Sequence, residues 1–210
     1  VGTAPVYPQV KWMKEHNQKV DCIIGARNKD LVIWQDKMAA ISDEVIITTD
    51  DGTAGRKGFV TDPLREMLEA GTKVDLVLAI GPVIMMKNVA ATTKPFEVPT
   101  TASLNTIMVD GTGMCGGCRL TLIQDGKRVT KFACVDGPDF NAYEVDFDEA
   151  MSRGATYKDF ERHAYEETCN LIKKIFDKKN TLIIYRIKTE DEIDYLVRYV
   201  QSLEESTPIA

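Results

Sequence analysis

The chain has 210 residues, 44% of them hydrophobic and 28% charged, which suits one large or two small globular domains. Its formal net charge of -6, with no run of basic residues, excludes a surface built to bind nucleic acid. The longest apolar stretches, such as VDLVLAIGPVIMM, are too short and too interrupted to span a bilayer. No signal peptide is visible, so we expect a cytoplasmic protein with neither nucleic-acid nor membrane partners.

Residues 1–100 alternate between helical and strand-like patterns. The helical segments are PQVKWMKEHNQ, DKMAAIS and DPLREMLEAG, and the strand-like segments are KVDCIIGAR, DEVIITTDDG and VDLVLAIGP. Continuous Val, Ile and Leu strands between helices predict a parallel sheet covered on both faces. Ligands bind such sheets beyond the carboxyl ends of the strands. Glycine-containing loops are predicted at those ends, at Gly25, Gly52 and Gly81, and they mark the expected ligand site.

Residues 101–150 form a short, glycine-rich region. The segments RLTLI and KRVTKFACV, joined through Asp125 and Gly126, predict a β-hairpin. This part of the chain therefore differs in kind from the preceding one, and we predict a small β domain here.

The last part, residues 151–210, again mixes helix and strand. We predict a helix from about Tyr157 to Asp177, the strand TLIIYRI, and a final amphipathic helix opened by a capping box at TEDE. The chain is thus expected to be an α/β protein in three parts, with boundaries at 1–100, 101–150 and 151–210.

The residues that carry chemistry have the spacing Asp110-x4-Cys115-x2-Cys118-x15-Cys134. With cysteine in the first position, this would be the plant-type arrangement of a [2Fe–2S] site. Glycines at 111, 113, 116 and 117 allow the backbone to fold tightly around a cluster and to direct N–H groups at its sulfides. Carboxylate is a harder ligand than thiolate but can bind iron, so Asp110 could complete the set.

Three interpretations of this spacing stay open: a cluster, a zinc site with three thiolates and a carboxylate, or reduced cysteines without metal. Structural zinc usually has two paired-cysteine knuckles, and this chain has one, so the cluster is preferred. An odd number of cysteines, five, also favours metal or redox chemistry over disulfides. Cys22 and Cys169 stand alone on a predicted strand and helix, where a free cysteine mostly acts as a small hydrophobe.

Several segments occur in an order typical of one family. They are GTAP, GAR, TTDDGTAGRKGFVT, AIGPVIMM, DGTGMCGGCR and FACVDGPDF. Over about residues 1–150 the chain resembles the FAD/iron–sulfur (alpha) subunit of NADH-dependent ferredoxin:NADP oxidoreductases, also called ferredoxin–NADP reductase subunit alpha or a sulfide dehydrogenase subunit. It is similar, more distantly, to the electron-transfer subunit of dihydroorotate dehydrogenase.

The resemblance implies a ferredoxin reductase-like nucleotide-binding domain, a small [2Fe–2S] domain and a C-terminal α/β extension. In that family the first cluster ligand is an aspartate, which implies that the metal ligands are Asp110, Cys115, Cys118 and Cys134. The residues that it implies for NAD(H) or NADP(H) binding are Gly2, Thr3, Ala4, Pro5, Gly25, Ala26, Arg27, Asp51, Gly52, Gly81, Pro82 and Met85.

Within this set, the helix N-terminus at Gly2–Pro5 would face the dinucleotide pyrophosphate, because its free N–H groups and dipole favour anions. By the same resemblance, Gly25–Arg27 would lie at the adenosine ribose and the Gly81–Met85 loop near the nicotinamide. Arg27 could pair with a 2′-phosphate or be a surface arginine. NAD(H) is preferred on the resemblance alone.

Two departures from the family matter. Many reductases have a cysteine before the Gly-Pro pair, where this chain has Ile80. The N-terminal flavin-binding barrel of the family is not in the sequence, so we expect FAD only in the full-length parent and assign no catalytic residue. A nicotinamide gives two electrons as hydride and a [2Fe–2S] cluster takes one at a time, so we expect the fragment to be inactive alone.

The resemblance therefore implies an electron-transfer subunit of a flavin-dependent NAD(P)H:ferredoxin-type oxidoreductase. Its expected partners are a larger flavin/iron–sulfur subunit of a heteromeric enzyme and, indirectly, ferredoxin. The alternative is a non-catalytic, nucleotide-binding redox sensor or adaptor module. A zinc-stabilised nucleotide-binding domain is a third interpretation.

Overall fold

The computed structural model describes residues 2–166, and the chain divides into two compact units after Thr156. In the second unit, residues 158–166 are helical, as the predicted helix from Tyr157 requires. The remainder of that helix, Cys169, the predicted strand TLIIYRI and the final helix lie outside the described residues.

The first unit is mixed α/β. Its strands are β1 (Asp21–Ala26), β2 (Glu44–Thr49), β3 (Arg56–Lys57), β4 (Val77–Ile80), β5 (Thr100–Ser103), β6 (Arg119–Gln124), β7 (Lys127–Phe132) and β8 (Asp139–Asn141). Its helices are α1 (Thr3–Glu15), α2 (Gln35–Ala39), α3 (Thr61–Glu69), α4 (Val83–Thr93), α5 (Ala133–Asp136) and α6 (Phe147–Ala155), with 3-10 turns at Lys29–Leu31 and Lys94–Phe96.

The strands form three small sheets. In the first, β1, β2 and β3 run parallel, and in the second β5 pairs parallel with β4 and antiparallel with β8. The third is the antiparallel hairpin of β6 and β7. The predicted parallel pairing is therefore confirmed, but it is divided between two sheets, and one of them is mixed.

Two apolar clusters hold these elements. The smaller one packs Val10 of α1 against Ile24 and Ile47, neighbours on β1 and β2, together with Met38. The larger one lies under α3 and α4, where Leu64 and Leu68 share one face at helical spacing. Full burial of one such leucine contributes about 1.5–3 kcal/mol to the free energy of folding.

The larger cluster continues from α4 into the glycine-rich region. It contains Met86, which is fully buried, and also Cys118 and Leu120 at the start of β6. The hairpin is thus packed on the same apolar core as the second sheet. The three-part division of the chain stays a prediction.

The Asp125-Gly126 turn is confirmed. Both residues have positive φ, 50° and 73°, as the two central positions of a type I′ hairpin turn require. The second strand was expected to reach Val135, which is wrong: β7 ends at Phe132, where the main-chain N–H donates to Asp136 Oδ2 at 2.8 Å and α5 begins.

The first helix begins five residues earlier than the pattern PQVKWMKEHNQ indicated. It runs from Thr3 to Glu15 with Gly2 as its N-cap. Pro5 fits in its first turn, where a missing N–H leaves no intrahelical hydrogen bond unmade. Within residues 2–166 no helix is long and apolar enough to cross a membrane.

Candidate functional site

Cys118 and Cys134 lie side by side at the base of the hairpin. Cys118 directly precedes β6 and Cys134 follows β7, and the pairing of Arg119 with Phe132 brings the two ends together. The two Sγ atoms are 3.2 Å apart, and Cys118 is only 1% exposed. The hairpin therefore delivers two of the predicted ligands to one point.

Main-chain N–H groups converge on this pair. That of Cys134 is directed at the Cys118 sulfur and is the main cause that lowers the pKa of Cys118, whereas the Ala133 N–H donates to the Cys118 main-chain oxygen at 3.2 Å. The hydrogen bond with Cys118 raises the pKa of Cys134, whereas the N–H of Gly113 acts to lower it. The protein thus stabilises negative charge on one sulfur of the pair, which is what a thiolate ligand needs.

Asp110 and Cys115 form a second pair on the segment of residues 107–118, called here the cluster loop. The main-chain N–H of Thr112 donates to Asp110 Oδ1 at 2.9 Å and is the main cause that lowers the pKa of this carboxyl. The Cys115 thiol also lies within hydrogen-bonding reach of the carboxylate. Gly117 N–H points at Cys115 Sγ over 3.4 Å.

Glycine is required in this loop by backbone conformation and by close approach. Gly111, Gly113 and Gly116 have φ of 76°, 83° and 67°, which side-chain-bearing residues rarely adopt. A Cβ at Gly113 would also stand 2.7 Å from Val135 Cγ2, on the helix that carries Cys134. The glycines therefore let the loop fold back onto the Cys134 turn, as their clustering in the sequence indicated.

The four predicted ligands lie as two pairs. Among residues 2–166, no group of three or more His, Cys, Asp or Glu side chains is close enough together to hold a metal ion. The donor set nevertheless fits an iron–sulfur group: three thiols and a carboxylate, with N–H groups directed at Cys115, Cys118 and Cys134. A structural zinc site usually has two Cys-x2-Cys knuckles. Among residues 2–166 the sequence has one, Cys115-x2-Cys118.

The predicted pyrophosphate and nicotinamide segments meet. A Cβ at Gly2 would stand 1.8 Å from Ile80 O, so the start of α1 lies directly on the end of β4. Gly81 follows, and the Met85 methyl would be 2.6 Å from a Cβ at that position. Glycine at both places lets the helix N-terminus, with its unpaired N–H groups at Thr3 and Ala4, lie beside the Gly81-Pro82 turn.

The predicted ribose segment, Gly25–Arg27, meets the predicted cofactor-binding pair Asp51-Gly52 at the ends of β1 and β2. Asp50 N–H donates to Ala26 O at 3.1 Å and Asp51 N–H donates to Arg27 O at 3.3 Å. The Asp51 carboxylate is engaged locally, with its pKa lowered mainly by the Thr53 hydroxyl, 2.7 Å away. Arg27 is exposed and, among the described residues, its guanidinium makes no hydrogen bond or ion pair.

The prediction that Gly25 lies in a loop was wrong. Gly25 is inside β1 rather than in a loop, paired with Thr48 of β2. It is needed because a Cβ there would stand 2.5 Å from Val60 Cγ1, at the N-terminus of α3. No described hydrogen bond joins the Gly2–Gly81 group to the Arg27–Asp51 group.

Sequence reasoning missed an apolar surface around the cluster loop. The side chains of this surface, called here the apolar rim, are Ile107, Met108, Val109, Met114 and Val135. Met114 is 89% exposed and Val109 is 76% exposed. The signal in the sequence was the run TIMVD next to the cysteine motif, which carries apolar residues without a strand or helix period.

A separate groove of about 600 Å³ lies between α3 and α4. Its lining includes Phe59, Arg65, Asn88 and Phe96 and none of the predicted site residues. It is therefore not the site that the motifs indicate.

Comparison with known proteins agrees with this arrangement. Residues 105–146 match the model of the iron–sulfur cluster binding domain of dihydroorotate dehydrogenase B. A dihydroorotate dehydrogenase B (NAD(+)) electron transfer subunit homolog from Thermotoga maritima is 48% identical over 79% of this chain and 57% of its own length. An uncharacterized protein in the adh 3′ region of Clostridium beijerinckii is 52% identical over 80% of this chain and 55% of its own.

A solved structure is similar as well. A chain of the NADH-dependent reduced ferredoxin–NADP oxidoreductase, studied for flavin-based electron bifurcation, is 46% identical with a TM-score of 0.70. The likeness covers 80% of this chain and 59% of that one. The proteins that this chain resembles are thus an iron–sulfur cluster binding domain, electron transfer subunits and a chain of a ferredoxin–NADP oxidoreductase.

The resemblance that the motifs indicated is confirmed. The chain is similar in sequence to proteins named as electron transfer subunits of dihydroorotate dehydrogenase B, and similar in structure to a chain of the ferredoxin–NADP oxidoreductase. It spans a little more than half the length of these relatives, 55–59%.

Proposed function

We propose that this chain is the nucleotide-binding and [2Fe–2S] part of an electron-transfer subunit in a flavin-dependent NAD(P)H:ferredoxin-type oxidoreductase. The observation that carries the proposal is the Cys118–Cys134 pair at 3.2 Å, with main-chain N–H groups directed at it. It lies inside the segment that matches an iron–sulfur domain.

Asp110, Cys115, Cys118 and Cys134 would hold the cluster. Once bound, the cluster would supply one-electron transfer, and FAD in the full-length parent would divide the two electrons of a nicotinamide. The chain's own residues do the rest: the hairpin fixes Cys118 and Cys134, and the cluster loop carries Asp110 and Cys115. Cys118 is buried beneath the loop, which limits its access to water and oxygen.

The nucleotide would bind at the strand ends. The free N–H groups at the start of α1 suit the pyrophosphate, and the adjacent Gly81-Pro82 turn suits the nicotinamide. The unpaired guanidinium of Arg27 would lie by the ribose, where it could accept a 2′-phosphate. The geometry supports a dinucleotide, and the preference for NAD(H) rests on the relatives.

The apolar rim supports docking of a larger flavin/iron–sulfur subunit beside the cluster. Exposed Met and Val side chains around a redox centre favour a dry contact, which shortens the path for an electron and excludes water. Ferredoxin would then exchange electrons with that partner rather than with this chain.

Electron transfer can be tested in the complete oxidoreductase without oxygen. NADH or NADPH is added, and the EPR signal of the reduced [2Fe–2S] centre is recorded. We expect a nicotinamide-dependent signal that disappears in Cys118→Ser while flavin bleaching persists. A cluster that dithionite reduces but neither nicotinamide does would contradict the proposed function. Zinc in place of iron at the cysteines would favour the zinc-stabilised nucleotide-binding domain instead.

A further inference from the structure

A charged side chain outside the motif reaches the cluster loop. Arg153 lies in the last turn of α6, half-buried, and its Nη2 is 3.5 Å from the main-chain oxygen of Gly117. Gly117 stands between Cys115 and Cys118. This guanidinium therefore approaches the loop at the segment that joins two of the proposed ligands.

The helix that carries Arg153 is anchored at its other end. Asp146 caps α6 by accepting the N–H of Glu149 at 2.9 Å, and Arg128 of β7 pairs with Asp146, also at 2.9 Å. Lys87 of α4 pairs with Asp148 at 2.6 Å. Since α6 is tied to the hairpin and to α4, the position of Arg153 is set by the fold.

The contact acts on one peptide group. The Gly117 carbonyl that Arg153 approaches and the main-chain N–H of the proposed ligand Cys118 belong to the same peptide. A cation at the carbonyl oxygen polarises the peptide and strengthens its N–H as a donor. Arg153 thus acts on the peptide that leads into the proposed ligand Cys118.

Within residues 2–166, no carboxylate pairs with the charge of Arg153. Among the described residues its guanidinium forms no ion pair, unlike Arg128, which contacts two carboxylates. A [2Fe–2S] centre with four anionic ligands carries a negative charge that grows by one on reduction. A nearby cation therefore favours the reduced form over the oxidised one.

We propose that Arg153 is a positioning residue that orients the Gly117–Cys118 peptide and raises the reduction potential of the cluster. This inference rests on the proposed cluster. It assigns to α6 a redox role that the cysteine motif does not indicate.

The test is an EPR-monitored redox titration of the intact protein, purified with its cluster. Arg153→Gln is expected to keep its iron and sulfide and to shift the cluster to a more negative potential. Arg153→Lys, which keeps the charge without the fork of donors, is expected to shift it less. The matched control is Arg119→Gln, which removes an exposed charge next to Cys118 and is expected to shift the potential least.

Three results of this titration would count against the inference or against the proposed function. An unchanged potential in Arg153→Gln, or equal shifts in Arg153→Gln and Arg119→Gln, would overturn the inference. Loss of iron from both Arg153 variants would show that Arg153 is needed to hold the cluster and does not only set its reduction potential. That result would also overturn the inference. A wild-type protein without iron would refute the proposed function itself, which separates the two failures.

Discussion

The first sheet and the cluster loop differ in what holds their backbones in place. In β2, Ile47, Thr48 and Thr49 are all buried, and parallel pairing with β1 fixes the register of the strand. In the cluster loop most side chains are exposed, and the backbone is shaped by positive-φ glycines and by N–H groups directed at ligand atoms. The sheet is built by apolar burial, whereas the loop is built around the group that it would hold.

The largest effect should come from exchanging cysteine for serine in each region. Cys118→Ser is expected to lose most of the bound iron and sulfide, because serine is a poor substitute for a thiolate ligand. Cys22→Ser is the matched control on β1, where the Cys22 thiol lies 3.1 Å from the Ser42 hydroxyl and packs against the smaller apolar cluster. It should keep full iron content, measured by metal and acid-labile sulfide analysis. Equal iron in both variants would remove the distinction between the regions.

Glycine-to-alanine substitutions should distinguish a glycine that is required by close packing from one that is required by its backbone conformation. Gly2→Ala places a Cβ 1.8 Å from Ile80 O, and it should lower the free energy of unfolding by about 1–3 kcal/mol and weaken nucleotide binding. Gly111→Ala meets nothing within 4 Å but has φ of 76°, so it should cost only about 1 kcal/mol. Denaturant unfolding and a nucleotide titration measure both. A larger loss of stability in Gly111→Ala would contradict this ordering.

Replacing the carboxylate should change the cluster without removing it. Asp110→Cys is expected to keep a [2Fe–2S] centre, because cysteine completes the plant-type spacing, and to shift its potential. A redox titration followed by EPR measures the shift. An unchanged potential would count against Asp110 as a ligand, and would leave it as the residue that caps the Thr112 turn.

The smallest effect on the chain itself should come from the apolar rim. Met114→Gln is expected to leave stability and iron content unchanged, since the side chain is 89% exposed, but to weaken binding of the partner subunit. Leu76→Gln, on a side chain that is 49% exposed and outside the rim, is the control. Calorimetry with the purified partner compares them. Equal affinities for both variants would show that the rim is not the docking surface.

The same contrast explains what could be predicted from the sequence. Burial leaves a hydrophobic pattern in the sequence, so β1, β2 and α3 could be predicted, and the Asp125-Gly126 turn could be predicted from its residue types. Contacts between residues far apart in the chain leave no such pattern. The division into separate sheets and the short helix at Cys134 depend on contacts of that kind. The contact of Arg153 with Gly117 joins residues 36 positions apart, and the cysteine motif carries no trace of it.

The central claim is that the cluster loop and the hairpin together hold a [2Fe–2S] centre. Iron and acid-labile sulfide, counted per chain in protein purified without oxygen, test it most directly, with EPR on the dithionite-reduced sample. The account predicts about two irons and two sulfides per chain and a rhombic signal on reduction. Zinc, or no metal after attempted reconstitution, would contradict it and leave a nucleotide-binding module.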